Sequence, residues 1–164
     1  MSDAQNTLER RRRVHLSPRL CTVVSYLTDL SVELGGAVFK NPVMPASGTY
    51  DYFENNADCF PVSELGAVMI KSVHRLQRPG NPGPRIAEVC GGMLNCVGIP
   101  SVGIEAFLRD ELPRYENIGT QVILSISGSE PVHYAEIAEL VGDDPRIAAL
   151  EMNLSCPNVG SGLP

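Results

Sequence analysis

Six consecutive residues, Asn153-Leu154-Ser155-Cys156-Pro157-Asn158, set two amides, a hydroxyl and a thiol directly behind an apolar run. Amides offer donors and acceptors at fixed separation, which suits a flat polar heterocycle. An exposed and suitably tuned Cys156 thiol could take a proton or act as a nucleophile, whereas an untuned one is a small half-buried thiol in a turn. Lys71 closes a second apolar run, Val68-Met69-Ile70. A buried ammonium there needs a phosphate, a carboxylate or an electron-rich ring, and the alternative is a strand-end lysine reaching to water. Between the two runs, residues 91–100 form a glycine-bracketed loop, Gly91-Gly92-Met93-Leu94-Asn95-Cys96-Val97-Gly98-Ile99-Pro100, whose backbone N–H groups and Asn95 could approach a ligand or could simply make a tight turn.

These residues are held by a pattern of alternating strands and helices. Residues 32–34 and 37–39 flank Gly35-Gly36 and read as a hairpin, one that could plug the end of a barrel. Short apolar strands are expected at 42–46, 67–71, 121–126 and 148–153, with helical stretches up to Ser63, over 103–112 and over 131–141. Residues 75–100 carry Pro79, Gly80, Pro82, Gly83, Pro84, Gly91, Gly92, Gly98 and Pro100, and should form long loops or small hairpins. Apolar runs separated by helices imply parallel strands covered on both faces, hence an α/β fold. Ser47, Lys71, Ser125 and Asn153 fall at or near the carboxyl ends of the four strands, the end at which α/β barrels gather their chemistry.

The chain has 164 residues, too few for a complete (β/α)8 barrel of about 250. Charge divides unevenly, +2 over residues 1–30 and −8 over residues 31–164. The first segment reads as a basic, solvated extension leading into a short helix, and the acidic remainder argues against a nucleic-acid surface. No run of about 18 apolar residues or more occurs, so no membrane span is expected. Five scattered cysteines without a CxxC pair point to neither zinc nor disulfides and fit a cytoplasmic setting. His15, His74 and His133 show no metal-ligand spacing and are expected at the surface; no metal site is expected. GxGxxG, Walker, HExxH and GxSxG patterns are absent, which removes support for a Rossmann site, a nucleotidase and common hydrolases.

Taken in order, Asn41-Pro42-Val43-Met44-Pro45-Ala46-Ser47-Gly48, Met69-Ile70-Lys71-Ser72, Gly80-Asn81-Pro82 with Pro84-Arg85, Gly92-Met93-Leu94-Asn95-Cys96-Val97-Gly98-Ile99 and Glu151-Met152-Asn153-Leu154-Ser155-Cys156-Pro157-Asn158 resemble class 1 dihydroorotate dehydrogenases. The Gly-Met-Leu-Asn loop is more similar to the NAD-linked subclass, whose catalytic subunit pairs with an FAD and iron-sulfur electron-transfer subunit. The resemblance implies an FMN-dependent (β/α)8 TIM-barrel enzyme that oxidises dihydroorotate to orotate in pyrimidine synthesis. It implies a homo- or hetero-oligomer, with about the first four β/α units in residues 31–164.

By the same resemblance Cys156 is the base that removes a proton while hydride passes to the flavin. Ser47, Lys71, Ser72, Ser125 and Asn153 would contact FMN, although the family usually has an asparagine where this chain has Ser125. Lys71, Asn95, Cys96, Val97, Gly98, Ile99, Asn153 and Asn158 would line the substrate. The family's second half, with a further flavin lysine, a later substrate asparagine and the loops that hold the FMN phosphate, has no counterpart in the sequence. The chain is therefore expected to be a fragment or to be completed by another chain. The alternatives are a dihydropyrimidine dehydrogenase-like enzyme, which shares an Asn-Leu-Ser-Cys-Pro-like segment, and an inactive assembly module lacking the phosphate site.

Overall fold

The computed structural model describes residues 28–50, 52, 53 and 60–158. The chain divides into two units, residues 1–30 and 31–164, and every element below belongs to the second. The helix expected near residues 20–30 lies, apart from residues 28–30, outside the described residues.

Strands β1 (Val32–Leu34) and β2 (Ala37–Phe39) pair antiparallel around Gly35-Gly36, both at positive φ, which is the hairpin expected from the Gly-Gly turn. The central sheet is parallel and three-stranded, in the order β3 (Ala67–Val73), β6 (Gln121–Ser127), β7 (Ala149–Asn153). A second hairpin, β4 (Ile86–Val89) with β5 (Gly92–Asn95), rises from the Pro/Gly-rich stretch. Its eight residues are all exposed.

Strands β3 and β6 bury both faces because they are apolar in both parities, whereas β7 is only partly covered, with Leu150 and Met152 exposed. Val68, Ile70, Val73, Val122, Leu124 and Ile126 face a core shared with Ile104, Phe107, Leu112, Tyr134, Ile137 and Val141 of the helical segments. The opposite face carries Ala67, Met69 and Ile123, and Phe39 of β2 packs on it at 1% exposure. The first hairpin thus covers the apolar end of that face.

Helix α1 (Ile104–Ala106) loosens into a π-turn over Phe107–Glu111 and tightens to 3-10 over Leu112–Tyr115. The expected helix over 103–112 is therefore irregular in its second half. Pro113 supplies the reason, since it has no N–H and its ring crowds the carbonyl four residues earlier. Helix α2 (Pro131–Val141) fulfils the expected 131–141 helix; Pro131 opens it, and the backbone N–H groups of Ser129 and Glu130 donate to His133 Nδ1.

Two expectations are corrected. Residues 42–46 form no strand. Pro42 and Pro45 have no N–H to give a ladder, and the free side of β3 is occupied instead by Tyr52, whose hydroxyl accepts from Met69 N–H at 2.9 Å and donates to Met69 O at 3.2 Å. Burial pushes the Tyr52 phenol above its usual range, so it keeps the proton that this bond requires. Residues 42–46 are tied to the start of β3 by Val43 O, which accepts from Gly66 N–H at 2.9 Å, and by Met44, which packs against the cluster of Ala67 and Met69. Of the helical stretch expected up to Ser63, residues 51 and 54–59 lie outside the described residues, and Val62–Glu64 forms a 3-10 turn.

His74, expected at the surface, is 7% exposed because it continues directly from Val73 into the packing beneath α2. It lines a cavity of about 500 Å³ with Arg75, Arg78, His133 and Glu136. Burial first, then the charges of Arg78 and His133, push its imidazole below the ordinary 6.5. The unfolded chain therefore binds this proton more readily than the folded one. The stability held by neutral His74 is complete above about pH 6.5 and declines as pH falls toward the depressed folded value. The urea midpoint should drop between pH 7 and 5, and His74→Gln should flatten part of that drop; an equal drop in the variant would assign the pH response to other groups.

Candidate functional site

The register of the central sheet explains why several polar residues share one face. Ile70 lies opposite Leu124 and Val73 opposite Ile126, so β3 spends three steps where β6 spends two. A β-bulge at Lys71-Ser72 absorbs the extra residue. Met69 and Ile123 belong to the hairpin-covered face, and alternation puts Lys71 and Ser125 on that face too. Without the bulge Ser72 would turn to the helix side. With it, Ser72 and Ser125 meet at 2.8 Å, and Asn153 Nδ2 donates to Ser72 Oγ at 3.0 Å.

The result is a polar end on an apolar face. Ser125 and Ser72 are 0% and 5% exposed, and their hydroxyls bond each other. Ser125 therefore acts on the site through Ser72 and Asn153, consistent with its shorter side chain. Asn153 is fixed twice, by its amide on Ser72 and by Tyr134, whose hydroxyl donates to Asn153 O at 2.7 Å. Its Oδ1 is left to accept. Lys71 is exposed and has no ion-pair partner among the described residues. Its stem and ammonium run beside Gly48, where an added Cβ would lie 3.5 Å from both Lys71 Cγ and Nζ. Gly48 sits at φ +73 in the turn that holds Ser47, closed by Thr49 N–H and Thr49 Oγ1 on Ala46 O. Beside Gly48, Lys71 and Ser72 opens a cavity of about 610 Å³ walled by Tyr50, Tyr52, Phe53 and Phe107.

A second group of predicted residues meets where the β4–β5 hairpin returns. Asn158 Nδ2 donates to Asn95 Oδ1 at 3.0 Å. That bond leaves Asn95 with amide donors and Asn158 with an amide acceptor, side by side. Gly98 and Ile99 are buried and Val97 is half-buried, its carbonyl accepting from Asn81 N–H at 3.0 Å, so these three shape the loop more than its outer face. Cys96 is exposed, and Cys156, half-buried, stands between Asn153 and Asn158 in the turn after β7.

Two residues with no role assigned from sequence emerge. Tyr134 clamps Asn153 from α2, a role its place in an ordinary helix pattern gives no sign of. Asn81 touches both Cys96 and Asn158; the Gly80-Asn81-Pro82 triplet marks a turn, but nothing in a turn signal says where its amide points. Among the described residues no group of three or more His, Cys, Asp or Glu could hold a metal ion, and no helix is long and apolar enough to cross a membrane.

The profile of the dihydroorotate dehydrogenase family matches residues 29–164. The chain belongs to the dihydroorotate dehydrogenase family. Among its relatives is the catalytic subunit of dihydroorotate dehydrogenase B (NAD(+)) of Pelobacter propionicus, 45% identical over 134 residues, covering 82% of this chain and 44% of that protein. The corresponding subunit of Geobacillus kaustophilus is 45% identical over 133 residues, covering 81% of this chain and 42% of that protein. The chain thus spans less than half the length of these dihydroorotate dehydrogenase relatives. A crystal structure of ligand-free dihydroorotate dehydrogenase from Eimeria tenella superposes with a TM-score of 0.54 at 24% identity, over 87% of this chain and 46% of that one. That likeness shows the fold, a TIM-barrel type of which the three-stranded parallel sheet is part.

Proposed function

We propose that residues 31–164 are the first part of an FMN-dependent dihydroorotate dehydrogenase barrel that oxidises dihydroorotate to orotate in pyrimidine synthesis. The observation that carries the reading is the Asn95–Asn158 pair. With Asn158 Nδ2 on Asn95 Oδ1, the pair offers a donor and an acceptor together, the complement of the N–H/C=O edge of a pyrimidine ring.

The donor set at the sheet end suits a flavin. An ammonium, hydroxyls and a clamped amide border an apolar face of Ala67, Met69 and Ile123, the mixture a large flat polar ring requires. Ser47, Lys71, Ser72 and Asn153 would hold FMN, with Ser125 steadying Ser72 from behind. FMN, when bound, supplies the hydride acceptor. Lys71 and Asn153 would also meet the substrate, Lys71 balancing its carboxylate and Asn153 Oδ1 accepting from the ring. The loop of Asn95, Cys96, Val97, Gly98 and Ile99 would close the opposite side with Asn158. Cys156, as thiolate, would accept the proton that leaves the substrate as its hydride departs.

The relatives are named as catalytic subunits of an NAD(+)-linked enzyme, which supports a partner subunit; by the resemblance of the motifs that partner would carry FAD and an iron-sulfur cluster, in a cytoplasmic oligomer. The remaining strands and the FMN phosphate site would come from outside these residues.

The test is optical. With the rest of the barrel supplied, by self-association or by a further chain, anaerobic dihydroorotate should bleach the flavin retained after FMN addition and desalting. Flavin that is retained but bleached by dihydrouracil instead would favour the dihydropyrimidine reading, and colourless protein would favour an assembly module. Ser125→Ala should in addition cost about 1 kcal/mol in urea unfolding, by removing one hydroxyl of a buried pair. No change in midpoint would show that Ser72 needs only Asn153.

A further inference from the structure

Asn81 lies on the irregular segment between β3 and β4, four residues before Arg85, and its own backbone is already anchored. Its N–H donates to Val97 O at 3.0 Å, and its carbonyl accepts from Arg85 Nε at 2.6 Å. The side chain does something else. Asn81 Nδ2 lies 3.0 Å from Asn158 O, 3.0 Å from Cys96 Sγ and 3.3 Å from Cys96 O. Two amide hydrogens are thus shared among acceptors on two separate loops, the one that follows β5 and the one that follows β7.

The surrounding chain is shaped to let this amide in. A Cβ at Gly98 would stand 2.5 Å from Asn81 Cγ and 2.6 Å from its Oδ1, so no side chain fits there while Asn81 stays in place. Gly98 is also at φ +77, and Gly80, at φ +80, has its Cβ direction closed by Val97 O at 2.7 Å. Arg85 seals the turn from below, donating to Pro79 O at 2.8 Å while its carbonyl accepts from Cys96 N–H at 2.8 Å. The Asn95–Asn158 side-chain bond then joins the same two loops one residue further out.

We propose that Asn81 is a positioning residue: its amide locks the loop after β5 to the turn after β7, so that Asn95 and Asn158 present one rigid donor–acceptor edge beside Cys156. The substrate part of this statement rests on the pyrimidine reading above; the coupling of the two loops does not. Without the amide, each loop keeps its own backbone bonds, and the edge is left to a single exposed side-chain contact. Placing such groups to within a fraction of an ångström is what a binding edge requires, and a 1 Å error at a reacting centre costs on the order of 10²-fold.

Asn81→Asp keeps the shape and both backbone anchors but replaces the donor by a carboxylate facing two carbonyls. Hydrogen exchange followed by mass spectrometry on the 164-residue chain should show peptides over 92–99 and over 153–158 exchanging together, about tenfold faster or more, while residues 122–126 of β6 stay protected. Faster exchange in only one of the two segments, or in neither, overturns the coupling. Should Asn81→Asp loosen β6 as well, Asn81→Ser, uncharged and smaller, gives the same comparison. Orotate added to the unaltered chain should slow both segments, and the concentration for half-protection should rise about tenfold in the variant. Equal protection in the variant overturns the positioning role. Orotate that protects neither segment of the unaltered chain, with the coupling intact, removes the pyrimidine reading and leaves the coupling standing.

Discussion

In the complete, FMN-loaded enzyme, Cys156→Ala should leave FMN bound and abolish its reduction by dihydroorotate, with the rate falling about 10²- to 10⁴-fold, the usual contribution of a positioned base. The separation between binding and reduction follows from the site's geometry. The groups proposed to hold the flavin, Ser47, Lys71, Ser72 and Asn153, lie on the turn after Ala46 and at the ends of β3 and β7, and Asn153 is clamped by Ser72 and Tyr134 without help from Cys156. Removing one half-buried thiol from the following turn leaves those contacts whole. Stopped-flow anaerobic reduction reads the rate, and the visible spectrum after desalting reads retention. A variant that keeps the parent rate ends the assignment of Cys156 as base. One that loses flavin as well as activity would show that the thiol is part of the flavin's seat.

The runs that became β3 and β6 were legible because they are apolar in both parities and bounded by turns and helices, a combination that buried parallel strands share, and β7 was legible as a short apolar run after a helix. The run at 42–46 has the same apolar content but not the same backbone: two of its five residues lack an N–H, and Tyr52 takes the bonds a neighbouring strand would have made. A phenol reaching back across a turn leaves no periodic trace in sequence. The bulge at Lys71-Ser72 is equally silent, since a two-residue repeat assigns Ser72 to the helix side and only pairing with β6 reverses it. His74 failed for a related reason. A lone histidine is usually solvated, but this one follows a strand whose burial continues past its last apolar residue. The chemistry-bearing residues were readable by type and order; which of them touch, and through which intermediary, came from packing.

That packing matters because Lys71, Ser72, Ser125 and Asn153 are carried on one sheet face whose other end is apolar. Asn153 reaches Ser72, and Ser72 reaches Ser125, only while the three strands keep register. Register in a two-sided buried sheet is fixed by which side chains are covered. On this face the cover includes the first hairpin, whose one fully buried side chain is Phe39.

Phe39→Ala should therefore destabilise the chain by about 3–5 kcal/mol, the range for deleting a buried phenylalanine from a core that can only partly collapse. Phe39 is 1% exposed and packs with Ala67, Met69 and Ile123, residues whose side chains are too short or too few to fill the space left behind. Its strand neighbour Val38, on the opposite parity, is 58% exposed, and Val38→Ala should change stability by no more than about 0.5 kcal/mol. The comparison separates a hairpin that plugs the sheet from one that merely lies against it, because both substitutions shorten a side chain in the same three-residue strand. Urea unfolding followed by circular dichroism supplies both values. If the two variants unfold at the same midpoint, the hairpin is not what keeps the apolar end of this face dry, and the register of β3, β6 and β7 must be held by the helix-side core alone. If they differ as expected, loosening should also travel up the face, with faster amide exchange at Ser125 and Asn153 in Phe39→Ala and no such change in Val38→Ala.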